Sequence, residues 1–357
     1  MNTTEFGNKI YQLLHSIPER SGKEVKTRSL VLSIIDSMNN MKVLYSGKYG
    51  IIVGLNGKQN NKFKIGFRVE LDAVELSNNL VMHSCGHDGH MASLLASMLY
   101  IDKLNIVNQV ISCLFIFQSA EELWNGASKL SKIMSLMGIE VDNLYALHNA
   151  PEIYPNQIAS REGKILSNNY TTIFRVKLKR IGHFGYKDNV IENIQKFIFY
   201  LDQQNKNVQF EYGIIKSDGT LSSLANNYIF SLSIRSFTID ILDLVNLEYE
   251  IYNKIVREKN VVSCKVSVIN QHRQISNNLD MLERVKSIPN FYFLTAPQSL
   301  SSDDFCEYDL ISKHQLYFFV GSYLSRENSK LHTNLFKINI DFIKAAIKIY
   351  LYLIIGD

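Results

Sequence analysis

The chain has 357 residues, 46% of them hydrophobic and 20% charged, the composition of a soluble globular protein of about two domains at roughly 150 residues each. Lys and Arg outnumber Asp and Glu by 38 to 34, and this net +4 is spread along the chain, so the dense basic run of a nucleic-acid binder is missing and no such partner is expected. Cys85, Cys113, Cys264 and Cys306 form no C-x-x-C pair, which excludes a disulfide framework or zinc ribbon and fits a reducing, cytoplasmic setting.

Phe6, Ile10, Leu13, Leu14 and Ile17 recur at helical spacing and predict a helix over 4–17, without the unbroken apolar core of a signal peptide. A second amphipathic helix over 24–38 is followed by β-type runs at 42–45, 51–55 and 63–69. The segment 88–99 reads as a helix with an Asp in its first turn. The apolar run 109–117 reads as a strand buried on both faces, and 126–137 as a helix stopped by Gly138. A strand closing at 145–148 completes a β/α series of the kind that builds a helix-covered central sheet.

From about residue 168 the pattern changes. Alternation over 171–179, a helix at 190–201, strands at 208–215 and 228–234, a helix at 241–256 and a strand at 261–269 describe a compact α+β unit inserted into the first domain. After about 274 the earlier style returns, with a strand at 317–321. The closing run 342–355 is strongly apolar but carries Lys344 and Lys348 and is shorter than the roughly 20 residues needed to span a bilayer, so a buried helix and no membrane partner are expected.

His83, His87, His90, His148 and His332 lie beside predicted strands or in turns, where an α/β sheet presents its functional loops. In His83-Ser84-Cys85-Gly86-His87-Asp88-Gly89-His90, Cys85 and His87 are two apart and the glycines let the backbone fold closely around an ion. Such ligands suit zinc, manganese or a related divalent metal. Glu121 and Glu122 follow the apolar strand directly, and paired carboxylates there are costly unless cations meet them. If one binds metal, its neighbour points elsewhere and can take a proton from activated water. Taken singly, each His is as readily a hydrogen-bonded or capping residue, and the acids are as readily an exposed loop start. Jointly, Cys85, His87, Glu122, His148 and His332 offer five donors for a two-metal site.

At these residues the sequence resembles the zinc-peptidase-clan amidohydrolases: aminoacylase-like and hippurate hydrolases, N-acetyldiaminopimelate deacetylases and plant auxin-conjugate hydrolases. The matching pieces are Arg68-Val69-Glu70-Leu71-Asp72-Ala73, M-H-S-C-G-H-D-G-H over 82–90, F-Q-S-A-E-E over 117–122, Ala146-Leu147-His148, Gly182-His183, Ile234-Arg235-Ser236-Phe237, Ser302-Asp303-Asp304-Phe305 and Leu331-His332. The resemblance implies an α/β fold: a catalytic domain with a helix-covered mixed central sheet, 1–167 plus 274–357, interrupted by an α+β lid, 168–273, that carries dimer contacts in many relatives. It implies two divalent ions, zinc or manganese before cobalt or nickel, on Cys85, His87, Glu122, His148 and His332. Glu121 would be the general base and acid, Asp72 an orienting carboxylate, and His183 a contributor to binding the substrate carbonyl as its oxyanion develops. No other cofactor is implied.

The sequence departs from the family pattern in several places. Ile181-Gly182-His183-Phe184-Gly185 replaces G-G-H-A with a following Pro, Ser119 stands for a proline before the paired acids, Leu123 and Trp124 replace glycines after them, and Ser222-Ser223-Leu224-Ala225 replaces N-x-I-P in the lid. These changes bear on substrate choice. The expected reaction is two-metal hydrolysis of the amide in an N-acyl amino acid or short peptide conjugate. A dipeptidase or terminal-residue peptidase is the alternative of the same chemistry, and a non-catalytic metal-binding module is the alternative of another class.

Overall fold

The computed structural model describes residues 2–57, 61–76, 79–104, 111–123, 125–179, 189–220 and 223–356. Two compact units emerge: Met1–Ile165 with Ser276–Pro297 and Asp303–Asp357, and Leu166–Ile275 with Gln298–Ser302.

In chain order the first unit begins with helices α1 (Thr3–His15) and α2 (Val25–Ile35), then strands β1 (Lys42–Gly47), β2 (Gly50–Leu55) and β3 (Lys62–Glu70), the short pair β4 (Val74–Glu75) and β5 (Val81–Met82), and helix α3 (His87–Lys103). β6 (Cys113–Gln118), α4 (Gly126–Leu136), β7 (Glu140–Ala150) and β8 (Gln157–Ser160) follow. Strand β9 (Gly163–Leu166) runs into the second unit, which contains β10 (Asn168–Leu178), α5 (Val190–Gln204), β11 (Val208–Ser217), β12 (Asn227–Ser236), α6 (Ile241–Val256) and β13 (Val261–His272). After β14 (Ile275–Asn277), the first unit resumes with α7 (Leu279–Lys286), β15 (Tyr292–Thr295), β16 (Ser312–Gly321) and α8 (Ile340–Ile355).

The first unit is built on an eight-stranded sheet in the order β1-β2-β6-β3-β7-β16-β8-β15. Its centre, β6-β3-β7-β16, is parallel, and the antiparallel strands β1 and β2 flank it on one side. Alternate residues of the central strands, Ile65, Phe67 and Val69 of β3, Phe115 and Phe117 of β6, Tyr145 and Leu147 of β7 and Phe318 of β16, share one core with Ile10 and Leu14 of α1, Met91 and Leu95 of α3 and Phe342 and Ile349 of α8. The apolar closing run is therefore a core helix, with Lys344 and Lys348 exposed. Among the described residues, no helix is long and apolar enough to cross a membrane. Pleating turns the intervening residues of β3, Arg68 and Glu70, to the other face, where both are buried.

The second unit has a four-stranded antiparallel sheet, β11-β12-β10-β13. Alternation again selects its core. Phe174 and Val176 of β10 and Phe230, Leu232 and Ile234 of β12 pack on Ile194 and Ile198 of α5 and Leu244, Ile251 and Ile255 of α6. The expected features at Trp124, Ser222 and 181–185, which include Gly182-His183, lie outside the described residues.

Candidate active site

In a parallel sheet the loops leaving the C-terminal strand ends converge on one edge, and here the candidate residues sit on such loops. Asp72 lies two residues beyond β3, Cys85 and His87 open the path from β5 into α3, Glu121 and Glu122 follow β6, and His332 follows β16, while His148 is near the end of β7. Ligand atoms of Cys85, His87 and His148 lie within 4.8 Å of one another, as do those of Cys85, Glu122 and His332, and those of His87, Glu121 and Glu122.

Local backbone geometry makes that convergence feasible. Gly86 caps α3 with φ +89°, and a Cβ there would stand 2.4 Å from Asn149 Oδ1; a side chain at this position is both strained and blocked. Ala120 adopts φ +58° in the turn that carries the two glutamates, and its N–H donates to Glu24 Oε1 at 2.9 Å. Asp304 clamps the two ends of that loop. It accepts Gln118 Nε2 at 2.8 Å and the Ala127 N–H at 3.0 Å. At the adjoining Gly126 an added Cβ would lie 1.7 Å from the Ser119 carbonyl oxygen, so the loop closes only over glycine. His332 also takes a positive φ, +58°, and its N–H donates to Ser84 O at 2.9 Å.

The imidazoles are presented in one sense. His87 Nδ1 lies 2.9 Å from the Asp72 carbonyl oxygen, and His148 Nδ1 lies 2.8 Å from the Asn149 carbonyl oxygen. A carbonyl only accepts, so both rings carry their proton on Nδ1 and turn the Nε2 lone pair toward the other donors. His148 Nε2 is 3.4 Å from Cys85 Sγ, and His332 Nε2 is 3.3 Å from Glu122 Oε1. His87 Nε2 is buried without a hydrogen-bond partner. Asp72 orients its neighbours by an unexpected route. Its main-chain carbonyl holds His87, its carboxylate being 3.7 Å away, while carboxylate Oδ2 accepts the Ser21 hydroxyl at 2.5 Å and the Glu122 N–H at 2.9 Å.

Electrostatics set the donors in tension. Burial, then Glu122, Asp303 and Asp304, push the Glu121 carboxyl well up. Burial and the same glutamates push the Cys85 thiol well up. Burial pushes Glu122 up too, but its contact with His332 and the nearby His87 outweigh this and hold it below the usual carboxylate range. Burial, with His90 beside it, pulls His148 down to about 4, so this ring is neutral near pH 7, as a ligand must be. A buried thiol, imidazoles that turn Nε2 toward the site and clustered carboxylates fit divalent cations.

Several residues here lie in the motifs quoted above but received no role from the sequence. Arg68, fully buried, pairs with Glu70, with Asp304 at 2.7 Å and with Asp303 at 3.0 Å. His90 lies 2.8 Å from Glu70 and touches Asn149. The signal was Arg68 and Glu70, charges on the same face as Lys64 but at the end of the strand that the apolar neighbours bury. His83 belongs elsewhere: its ring stacks near His15 at 6.4 Å.

Comparison with known proteins supplies a context for this geometry. Residues 66–355 match the sequence model of peptidase family M20/M25/M40. An N-acetyldiaminopimelate deacetylase of Priestia megaterium is 33% identical over 189 residues, 50% of this chain and 49% of that relative, so the chain is aligned with about half of that relative's length. A deacetylase of the same name from Oceanobacillus iheyensis is 26% identical over 330 residues, 78% of this chain and 87% of the relative. In three dimensions, a Bacillus subtilis dinuclear metal binding peptidase from the M20 family superposes with a TM-score of 0.76 at 17% identity, covering 98% of this chain and 97% of that one, a likeness of fold.

Proposed function

The chain belongs to peptidase family M20/M25/M40, and from this premise we propose that it is a metal-dependent amidohydrolase removing the acyl group from an N-acylated amino acid or a closely related small conjugate. The observation that carries the reading is the meeting of Cys85, His87, Glu122, His148 and His332 at one sheet edge, with His87 Nε2 buried and unpartnered. In this reading those five residues hold two divalent cations, zinc or manganese before cobalt or nickel. When bound, the ions polarise the scissile carbonyl and acidify the attacking water.

Glu121 is the proton carrier. It takes a proton from water as the new C–O bond forms and passes it to the amine nitrogen as the C–N bond breaks, releasing a carboxylic acid and a free amine. Burial among carboxylates suits it to hold that proton between the two steps. Asp72 sets the His87 ring and the Glu122 main chain. His183 is assigned to the developing oxyanion by its motif, and 168–273 to a lid over the substrate that also supplies homodimer contacts. The N-acetyldiaminopimelate deacetylases among the relatives support an acylated amino acid as substrate.

The test incubates purified, metal-loaded protein with N-acetyl and N-benzoyl amino acids, N-acetyldiaminopimelate and dipeptides, with products read by mass spectrometry. A free amino acid released from an acylated member is the expected result. Cleavage confined to dipeptides replaces this reading with a peptidase, and no hydrolysis by metal-loaded protein refutes it.

A further inference from the structure

Behind the proposed ligands runs a buried polar chain that the reaction itself does not use. Arg68 is paired with Glu70, and Glu70 Oε2 lies 2.8 Å from His90 Nδ1. The carboxylate only accepts, so the His90 proton sits on Nδ1 and Nε2 keeps a lone pair, which accepts the Asn149 main-chain N–H at 3.1 Å. The Asn149 carbonyl accepts from His148 Nδ1, and His148 Nε2 then faces Cys85 Sγ. His90 Nε2 is also 2.9 Å from Asn149 Oδ1. A half-turn of that amide brings Nδ2, otherwise buried without a partner, into donating position.

His90 touches His148 directly as well. Their rings meet nearly edge to face, with centroids 4.9 Å apart. His90 follows His87 by three residues on α3, so one helix face carries both a proposed ligand and the ring that braces another. An apolar ring in place of His90 would strand Glu70 Oε2 and the Asn149 N–H in the interior.

We propose that His90 is a positioning residue: clamped between Glu70 and the Asn149 main chain, it fixes the His148 ring so that Nε2 stays aimed at the ion shared with Cys85. This rests on the two-metal reading above. The test loads the full chain with cobalt(II), whose ligand-field and thiolate charge-transfer bands report the geometry around Cys85 and His148, and measures affinity by chelator competition. His90→Phe removes both nitrogen contacts. His90→Asn places an amide near the Nδ1 position, and His90→Gln one near Nε2.

The Phe variant is expected to bind cobalt about 10- to 100-fold more weakly with an altered spectrum, the usual cost of losing a partner that orients a ligand, and one of the amide variants to recover part of both. Wild-type affinity and spectrum in His90→Phe overturn the proposal. If that variant does not fold, wild-type values in both amide variants overturn it equally. Failure of the metal reading looks different: the unmutated protein takes up no cobalt, or Cys85→Ser leaves the charge-transfer band in place, and the proposal falls with it.

Discussion

Replacing Glu121 by Gln keeps the volume and removes only the capacity to carry a proton. The loop need not move, because Glu122 N–H still donates to Asp72 and Ala120 N–H to Glu24. Acid-base removal costs about two to four orders of magnitude in turnover, or roughly 2.7–5.4 kcal/mol of barrier at about 1.36 kcal/mol per tenfold. The structure adds a second expectation of opposite sign. Glu121 is crowded by burial and by Glu122, Asp303, Asp304 and Asp72, so a neutral amide relieves repulsion, and the metal-stripped variant should melt at or above the metal-stripped wild type. The assay pairs steady-state product release with metal content by elemental analysis and a melting curve. Turnover within threefold of wild type in a metal-replete variant would refute the role given to Glu121, and a variant that loses its metal would show that this carboxylate is a ligand instead.

Asp304→Ala leaves Arg68 its pairs with Glu70 and Asp303 but takes the buried acceptor from Gln118 Nε2 and the Ala127 N–H at the two ends of the 118–127 loop, so chemical denaturation should report a loss of about 2–6 kcal/mol, roughly 1–3 for each stranded donor. Stripping metal should abolish hydrolysis and lower stability by about 2.7 kcal/mol for each site relative to protein held at 100 times its dissociation constant, read as a melting shift that returned cation reverses. His15, half-exposed, lies 2.6 Å from Asp88, and that hydrogen bond raises its pKa against the pull of burial. A raised folded-state value stabilises fully below the unfolded value near 6.5 and fades as pH rises through the folded value. The gap in melting temperature between wild type and His15→Gln should therefore be widest at or below pH 6.5 and close above it; a gap that widens with pH contradicts the pairing.

Local chemistry made much of this legible from sequence. Strand ends and helix starts were readable because apolar runs such as 113–117 are buried along their whole length, and because Cys85, His87, Glu121 and Glu122 stand close to element ends. Strands of four residues, β8 and β15, are too short to show a period. Arg68 was opaque for another reason: its partners Asp303 and Asp304 are 235 and 236 residues away, and no local pattern reports a counter-charge brought by topology. His87 and His90 look alike as letters three apart. Only the fold shows that one turns an unpartnered nitrogen to the site while the other spends both on Glu70 and Asn149. Asp72 was read as a carboxylate acting through its side chain, and its closest hold on His87 is the backbone oxygen every residue has.

The buried charges explain why the two halves of this cluster do different work. Glu70, Asp72, Glu121, Glu122, Asp303 and Asp304 crowd the sheet edge, and Arg68 is the fully buried guanidinium among the described residues. Arg68 is committed to Glu70, Asp303 and Asp304; one guanidinium offsets only part of three carboxylates, and burial still pushes Asp304 up to about 7, but the hydrogen bonds on that side fix geometry. Asp72, Glu121 and Glu122 face Cys85 and the histidines with no guanidinium; burial pushes Asp72 and Glu121 up, while His332 and His87 hold Glu122 down. In a low-dielectric interior that arrangement is costly as it stands and becomes favourable when cations arrive. The fold thus keeps a salt-bridged group of acids next to an acidic face that has no guanidinium of its own, and on the proposed reading the binding of metal and the final share of the domain's stability are the same event.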